Sequence, residues 1–227
     1  MPLFPLNTVL FPGMPLPLHI FEPRYRLMIG RCLEGERSFG VAQMIEGEEG
    51  FSDTVPARVG TVAEILDVAP LSDGRLNLHT LGTRRFTILS TRAMDDYLVG
   101  TCQWLDDEAA PNDELWGLAS QTRRMLSRYF DSLAQSVELR ADLGELDVPQ
   151  EPFALSMFIA AIMMLPSDQK QGLLELTSTR QRLELEESLL ERADLVLRAF
   201  AKHLKMGFLQ PPADESQGLF AEFISLN

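Results

Sequence analysis

Leu3-Phe4-Pro5-Leu6-Asn7-Thr8-Val9-Leu10-Phe11-Pro12-Gly13, continued by Leu16-Pro17-Leu18-His19-Ile20-Phe21-Glu22-Pro23-Arg24-Tyr25-Arg26, decides how the rest of the chain is read. Pro2, Pro5, Pro12, Pro15 and Pro17 each lack an amide N–H, which forbids a helix here and leaves edge strand or extended chain. A helix can begin only after Pro23. From Arg24 to Leu33 the residues Leu27, Met28, Cys32 and Leu33 fall on one apolar stripe, and Gly35 is a natural stop. The opening therefore predicts one short helix set inside a β region.

Downstream, Phe39–Ile45, Val59–Leu66, Leu76–Leu81, Phe86–Leu89 and Tyr97–Trp104 are rich in β-branched and aromatic residues and bounded by Gly, Pro or Asp-Gly. Asp73-Gly74 between two apolar runs is a hairpin signal. Short strands with turn signals every ten or so residues predict a small barrel or sandwich rather than βαβ units. The pattern changes near Pro111. Asp113 and Glu114 suit a positive helix N-terminus, and Leu115, Leu118, Ala119, Leu126, Phe130 and Leu133 follow with helical spacing. Pro152 opens an apolar helix over 153–165 that Pro166 ends, and Ser167 or Asp168 caps a short helix to about Leu176. Ser178 with Gln181 makes a capping box for a last helix to about Lys205, with Leu183, Leu190, Ala193, Val196 or Leu197, Phe200 and Leu204 on one stripe. The expected fold is α+β: a β-rich part over 1–110, a four-helix bundle over 111–207, then a linker and apolar tail over 208–227.

Composition narrows the function classes. The 227 residues are 45% hydrophobic and 23% charged, values of an ordinary globular chain. The formal charge of −13 is spread evenly, with 9 basic and 15 acidic residues before position 111 and 11 and 18 after it. Neither half has the basic footprint that nucleic-acid binding or an anionic membrane surface asks for, so neither is an expected partner. Cys32 and Cys102 lie far apart and form no CxxC pair, so no disulfide framework or zinc spacing is read, and a reducing cytoplasm is expected. Met1-Pro2-Leu3-Phe4-Pro5 lacks a basic n-region and an unbroken apolar h-region. The longest apolar run, Phe153 to Leu165, is shorter than the roughly 18 residues of a membrane-span candidate and reads as a buried helix.

The opening stretch, together with Val59-Gly60-Thr61-Val62-Ala63-Glu64-Ile65 and Leu81-Gly82-Thr83-Arg84-Arg85-Phe86 in the same order, resembles the Lon N-terminal domain, also called the Lon substrate-binding domain. The resemblance covers nearly the whole chain. It implies a β-rich subdomain, PUA-like in shape, followed by a helical bundle, and a role in binding unfolded or tagged proteins and in assembly. In the full protease an ATPase and a Ser-Lys protease follow. This chain holds no G-x-x-x-x-G-K-[ST] loop to cradle phosphates. The expectation is a stand-alone binding module without ATPase or protease chemistry.

Candidate chemistry is sparse. Ser167-Asp168-Gln169-Lys170 matches S-x-x-K, in which a lysine could activate a serine, yet its partner motifs are missing and a helix cap explains it. His19, His79 and His203 have no helical metal spacing; His203 reads as a dipole partner, His79 as a solvent or rim residue, and His19 as packing or partner contact. The run Glu46, Glu48, Glu49 lacks calcium-loop order and reads as a strand connection; Asp106-Asp107-Glu108 reads as a polar linker.

No catalytic residue, metal or cofactor is assigned. For peptide binding the candidates are Phe11, Pro12, His19, Phe21, Glu22, Arg24 and Tyr25. Arg24 and Tyr25 would supply a charge and a flat amphipathic surface, or else Glu22-Pro23-Arg24-Tyr25 is simply a helix start. Phe220, Phe223 and Leu226 either pack back on the bundle or contact a partner or second copy. The expected partners are extended or unfolded polypeptides, with a protease or chaperone and a homo-oligomer left open. The alternatives are a small hydrolase in a repurposed cleft and an RNA-binding PUA-like module.

Overall fold

Strand formation follows the β-branched runs and the glycines and aspartates between them. A computed structural model of the chain describes residues 1–46, 55–107, 112–136 and 147–205. The strands are β1 (Pro2–Leu6), β2 (Pro15–Ile20), β3 (Ser38–Glu46), β4 (Val55–Pro70), β5 (Leu76–Met94) and β6 (Tyr97–Trp104). The helices are α1 (Pro23–Glu34), α2 (Asp113–Ser136), α3 (Pro152–Ile162), α4 (Ser167–Glu175) and α5 (Thr179–Lys205). The class is α+β, with one mixed six-stranded sheet in the order β2-β5-β4-β3-β1-β6, in which β5 also pairs with β6.

The proline-rich opening is not all edge. β2 pairs only with β5, as expected of a strand carrying Pro15 and Pro17, but β1 lies inside the sheet, parallel to β3 and antiparallel to β6. Its ladder with β6 shows only two residue pairs, Pro2 with Val99 and Leu3 with Leu98, so the missing amides at Pro2 and Pro5 disrupt little.

The stretches expected as two strands, Leu76–Leu81 and Phe86–Leu89, are one strand, β5. Gly82 between them is no break. A side chain at Gly82 would collide with the carbonyl oxygen of Phe11, so the glycine exists to let the 10–14 loop approach. The Asp73-Gly74 turn is present, with Gly74 at φ +84, and a second tight turn, Asp95-Asp96, has both residues at positive φ and joins β5 to β6.

The chain forms two compact units. One comprises Met1–Ala110 with Met157–Thr179; the other comprises Pro111–Ser156 with Arg180–Asn227. The four helices expected after Pro111 are present; α4 and the part of α3 from Met157 onward group with the sheet unit, and α2 and α5 with the other.

In the sheet unit, α1 buries Tyr25, Met28, Ile29 and Cys32 on a core with Phe4, Leu10, Phe39, Val41, Ile65 and Leu78. Leu27, placed on the buried stripe by sequence, is exposed. A second, smaller core joins Leu3, Ala42, Val62, Phe86 and Ile88. Each of these large side chains contributes about 1.5–3 kcal/mol on full burial. Arg85, only 1% exposed, fastens α4 to the sheet: its Nη1 donates to the carbonyl oxygens of Leu174 and Leu176, each at 2.6 Å, and its Nη2 pairs with Asp107. Asp107 also accepts a hydrogen bond from the Thr179 hydroxyl. Gln171 Nε2 on α4 donates to the Val59 carbonyl oxygen at 3.0 Å.

In the helical unit, Asn112 caps α2 by accepting from the Leu115 amide at 2.9 Å, and Glu151 caps α3 by accepting from Phe153 and Ala154. Thr122 of α2 donates to Glu187 of α5 at 3.0 Å, and Ser132 to Asp194 at 2.5 Å. On α5, Leu183 and Leu190 are buried, whereas Phe200, expected on the same apolar stripe, is exposed; of the alternatives Val196 and Leu197, Leu197 is half-buried and Val196 exposed. Helix α3 ends at Ile162, three residues before Leu165, because residues leading into Pro166 are pushed out of the α region. No helix of the described residues is long and apolar enough to cross a membrane.

Candidate functional site

The three stretches that carry the resemblance meet in one place. Thr61 Oγ1 donates to the Leu10 carbonyl oxygen at 2.6 Å, Gly13 N to the Gly82 carbonyl at 2.8 Å, and Gly82 N to the Met14 carbonyl at 2.9 Å. The 10–14 loop is thereby tied to β4 and β5 by backbone and buried hydroxyl bonds. These residues lock the fold; Thr61 is fully buried and presents nothing to a ligand.

Around that lock the predicted peptide-facing residues divide. Phe11 is fully buried, and the Tyr25 ring is 7% exposed and stacks on Phe4 with ring centres 4.1 Å apart. Both belong to the core, which corrects the expectation that Tyr25 supplies a flat exposed surface. Pro12 is half-buried. Arg24 is held by Glu22 at 2.9 Å, lies 4.6 Å over the Tyr25 ring and reaches the Asp96 carbonyl oxygen at 3.4 Å. Glu22 precedes α1 without capping it through its side chain.

His19 and Phe21 are the members of the set that face outward. Phe21 is 59% exposed, and its ring stacks beside that of His19 with centres 6.2 Å apart. His19 Nδ1 lies 2.7 Å from Asn77 Oδ1, and its Nε2 lies 3.2 Å from Arg75 Nη1. An arginine can only donate, so Nε2 accepts and Nδ1 carries the proton given to Asn77. Arg75 is in turn paired with Asp73 at 2.7 Å. This polar chain fixes the His19 ring beside Phe21 on the edge strand. A strand added at the β2 edge would find no amide at Pro15 or Pro17.

The sequence reading missed a second feature. Met1, Pro2, Arg31, Cys32, Glu36, Ser38, Val62, Cys102 and Trp104 line a cavity of about 400 Å³. Arg31 is held by Asp95 at 2.7 Å and by the Tyr97 hydroxyl at 2.8 Å. Burial pushes the Cys32 thiol up to about 11 and the Cys102 thiol upward too, so both stay protonated at neutral pH. Trp104 is 52% exposed, with the Arg84 guanidinium 4.7 Å over its ring and Arg84 itself clamped by both oxygens of Asp106. Asp106 and Asp107 are thus ion-pair partners of Arg84 and Arg85, which corrects their reading as a polar linker. The residues come from five elements, and no local motif announces them.

Among the described residues, the lysine of the S-x-x-K stretch is engaged elsewhere. Lys170 Nζ donates to the Ala161 carbonyl oxygen at 2.8 Å, and burial lowers its pKa, but it is committed there rather than to a serine. Ser167 does not cap α4: Pro166 holds the cap position, its carbonyl accepting from the Lys170 amide, and no side chain caps the helix. His79 is exposed. Among the described residues no group of three or more His, Cys, Asp or Glu is placed to hold a metal ion. Glu48 and Glu49, and Phe220, Phe223 and Leu226, lie outside the described residues, as does the His203 side chain.

The family model of the ATP-dependent protease La (LON) substrate-binding domain matches residues 1–192. The chain belongs to this family. Among its relatives are a Lon protease of Flavobacterium johnsoniae, 26% identical over 186 residues, and one of Anaeromyxobacter dehalogenans, 27% identical over 203. The matches take in 80% and 87% of this chain but only 22% and 24% of those proteases, so the LON domain here spans about a quarter of their length or less. Among solved structures it is similar to a Lon N-terminal domain protein from Xanthomonas campestris, at 30% identity and a TM-score of 0.60, covering 82% of this chain and 95% of that one. The N-terminal domain of the Mycobacterium avium complex Lon protease shares the fold at 21% identity and a TM-score of 0.64, covering 84% and 97%.

Proposed function

We propose that this LON domain is a non-enzymatic module that captures extended or unfolded polypeptide through side-chain contacts at the rim formed by β2 and the start of α1. The observation that carries the reading is the family match over residues 1–192, joined to a rim on which Phe21 stands exposed while its neighbour His19 is held by Asn77 and Arg75. A preset aromatic pair of this kind offers apolar area at little entropic cost. Pro12, Glu22 and Arg24 form the flank of the same rim.

The module acts as an adaptor in protein quality control in the cytoplasm, presenting clients to a protease or chaperone. Its sheet reads as a small PUA-like barrel, a view supported by β5 pairing with both β4 and β6. An array of overlapping peptides from aggregation-prone proteins tests the reading: retention concentrated on extended apolar segments is expected. Uniform absence of retention would remove it.

A further inference from the structure

The cavity beside Trp104 lies outside the β2–α1 rim, and its lining limits what it can hold. Its volume of about 400 Å³ sits near the lower end of the range for ligand pockets, roughly 300–1,000 Å³. That is room for a large side chain with space to spare, but not for a folded surface. The floor is neutral and apolar: Val62 and the buried Cys32 belong to the two cores, and Cys102 packs against the smaller one. Arg31 is already occupied by Asp95 and Tyr97, and the Glu36 carboxylate is offset by the Met1 ammonium, whose charge is felt by both cavity cysteines. No net charge is left to select an ion.

One wall is Trp104, a large exposed indole held in place by Arg84, which Asp106 clamps in turn. Immobilising such a residue before binding removes part of the ordering cost, and tryptophan is enriched among residues that dominate interfaces. We infer that this cavity receives a single uncharged apolar side chain, of phenylalanine or leucine size, from a bound extended polypeptide. The inference rests on the polypeptide-binding reading above and adds the class of residue recognised.

Trp104 reports on its own site once the other tryptophan is replaced by Trp116→Phe. In that background, blocked pentapeptides with a central Phe, Leu, Ala, Glu or Lys among glycines are titrated while indole emission is followed. The Phe and Leu peptides should give a saturable shift, with the Ala, Glu and Lys peptides at least about tenfold weaker. Cys102→Met, which narrows the cavity, and Trp104→Ala, followed with a labelled Phe peptide, should each weaken binding by about tenfold with an unchanged thermal midpoint. Trp104→Phe should retain most of it, so a variant that fails to fold does not decide the matter alone. Equal response to charged peptides would overturn the selectivity. If no peptide shifts Trp104 while an unfolded protein still binds, the cavity is not the pocket and polypeptide capture stands; if neither binds, both readings fall.

Discussion

Thr61 Oγ1 donates a 2.6 Å hydrogen bond to the carbonyl oxygen of Leu10, and the hydroxyl that makes it is wholly enclosed by the sheet unit. The Leu10 carbonyl sits in a loop rather than in a strand ladder, so a side chain must satisfy it. Thr61→Val keeps the shape and removes the donor, leaving a buried acceptor unpaired at a cost of about 1–3 kcal/mol. Chemical denaturation should show that loss with little change in the slope of the transition. A neutral result would mean the bond is not part of what holds the 10–14 loop.

Gly82 makes the same point through space instead of polarity. A methyl group there meets the Phe11 carbonyl oxygen and the Leu10 side chain, so Gly82→Ala forces the loop off β5. Overpacking of this kind costs about 1–3 kcal/mol and more where backbone must move. The expected outcome is a lowered thermal midpoint and faster amide exchange across residues 10–16.

Arg85→Met tests the attachment of α4. The substitution abandons two carbonyl oxygens and leaves Asp107 without its cation, and breaking a buried pair in this one-sided way costs about 3–5 kcal/mol. Hydrogen exchange in Ser167–Leu176 should rise more than in β3 or β4. If α4 exchange is unchanged, the Arg85 contacts do not anchor it.

Much of this architecture was legible in the sequence, and the parts that were not share a cause. The strand runs, the Asp73-Gly74 turn, the start of α1 at the Pro23 boundary and the helices after Pro111 are local, set by proline, glycine and periodicity. The interior place of β1 is not local. It depends on pairing with β3 and β6 across roughly forty and a hundred residues, and a proline-rich strand gives no sign that its few missing amides fall where the ladder is short. Gly82 looked like a break because a close backbone approach and a turn use the same residue. Asp107 looked like linker because its partner, Arg85, is known only when β5 and β6 pair. The rim was half legible: alternation along β2 puts Ile20 inward and His19 outward, but Tyr25 went to the core and Leu27 to solvent through a rotation of α1 that a four-residue stripe does not fix.

Glu186 supplies a pH dependence. Its side chain is fully buried, neither carboxylate oxygen has a hydrogen-bond partner among the described residues, and burial holds its pKa well above the usual carboxylate range against the opposing pull of Arg182. A raised folded value means that the folded state holds the proton more tightly than the unfolded chain. The associated stability is complete below the unfolded value, about 4.3, and is lost as pH rises toward the folded value. Glu186→Gln removes the proton from the balance. At pH 8 it should be more stable than the parent by about 1–3 kcal/mol, with the gain shrinking toward pH 4. A constant difference across that range would show that Glu186 does not titrate on unfolding.

The central claim is capture of unfolded polypeptide by the rim that carries Phe21. Its most direct test is fluorescence anisotropy of a labelled, permanently unfolded protein titrated with the full chain, beside the same protein folded, and repeated with Phe21→Ser. The account predicts saturable binding of the unfolded form alone, with a Kd on the order of 1–100 μM, and about a tenfold loss for Phe21→Ser at an unchanged thermal midpoint. No anisotropy change with the unfolded protein at several times the upper end of that range, or equal binding by the Phe21→Ser chain, would contradict it.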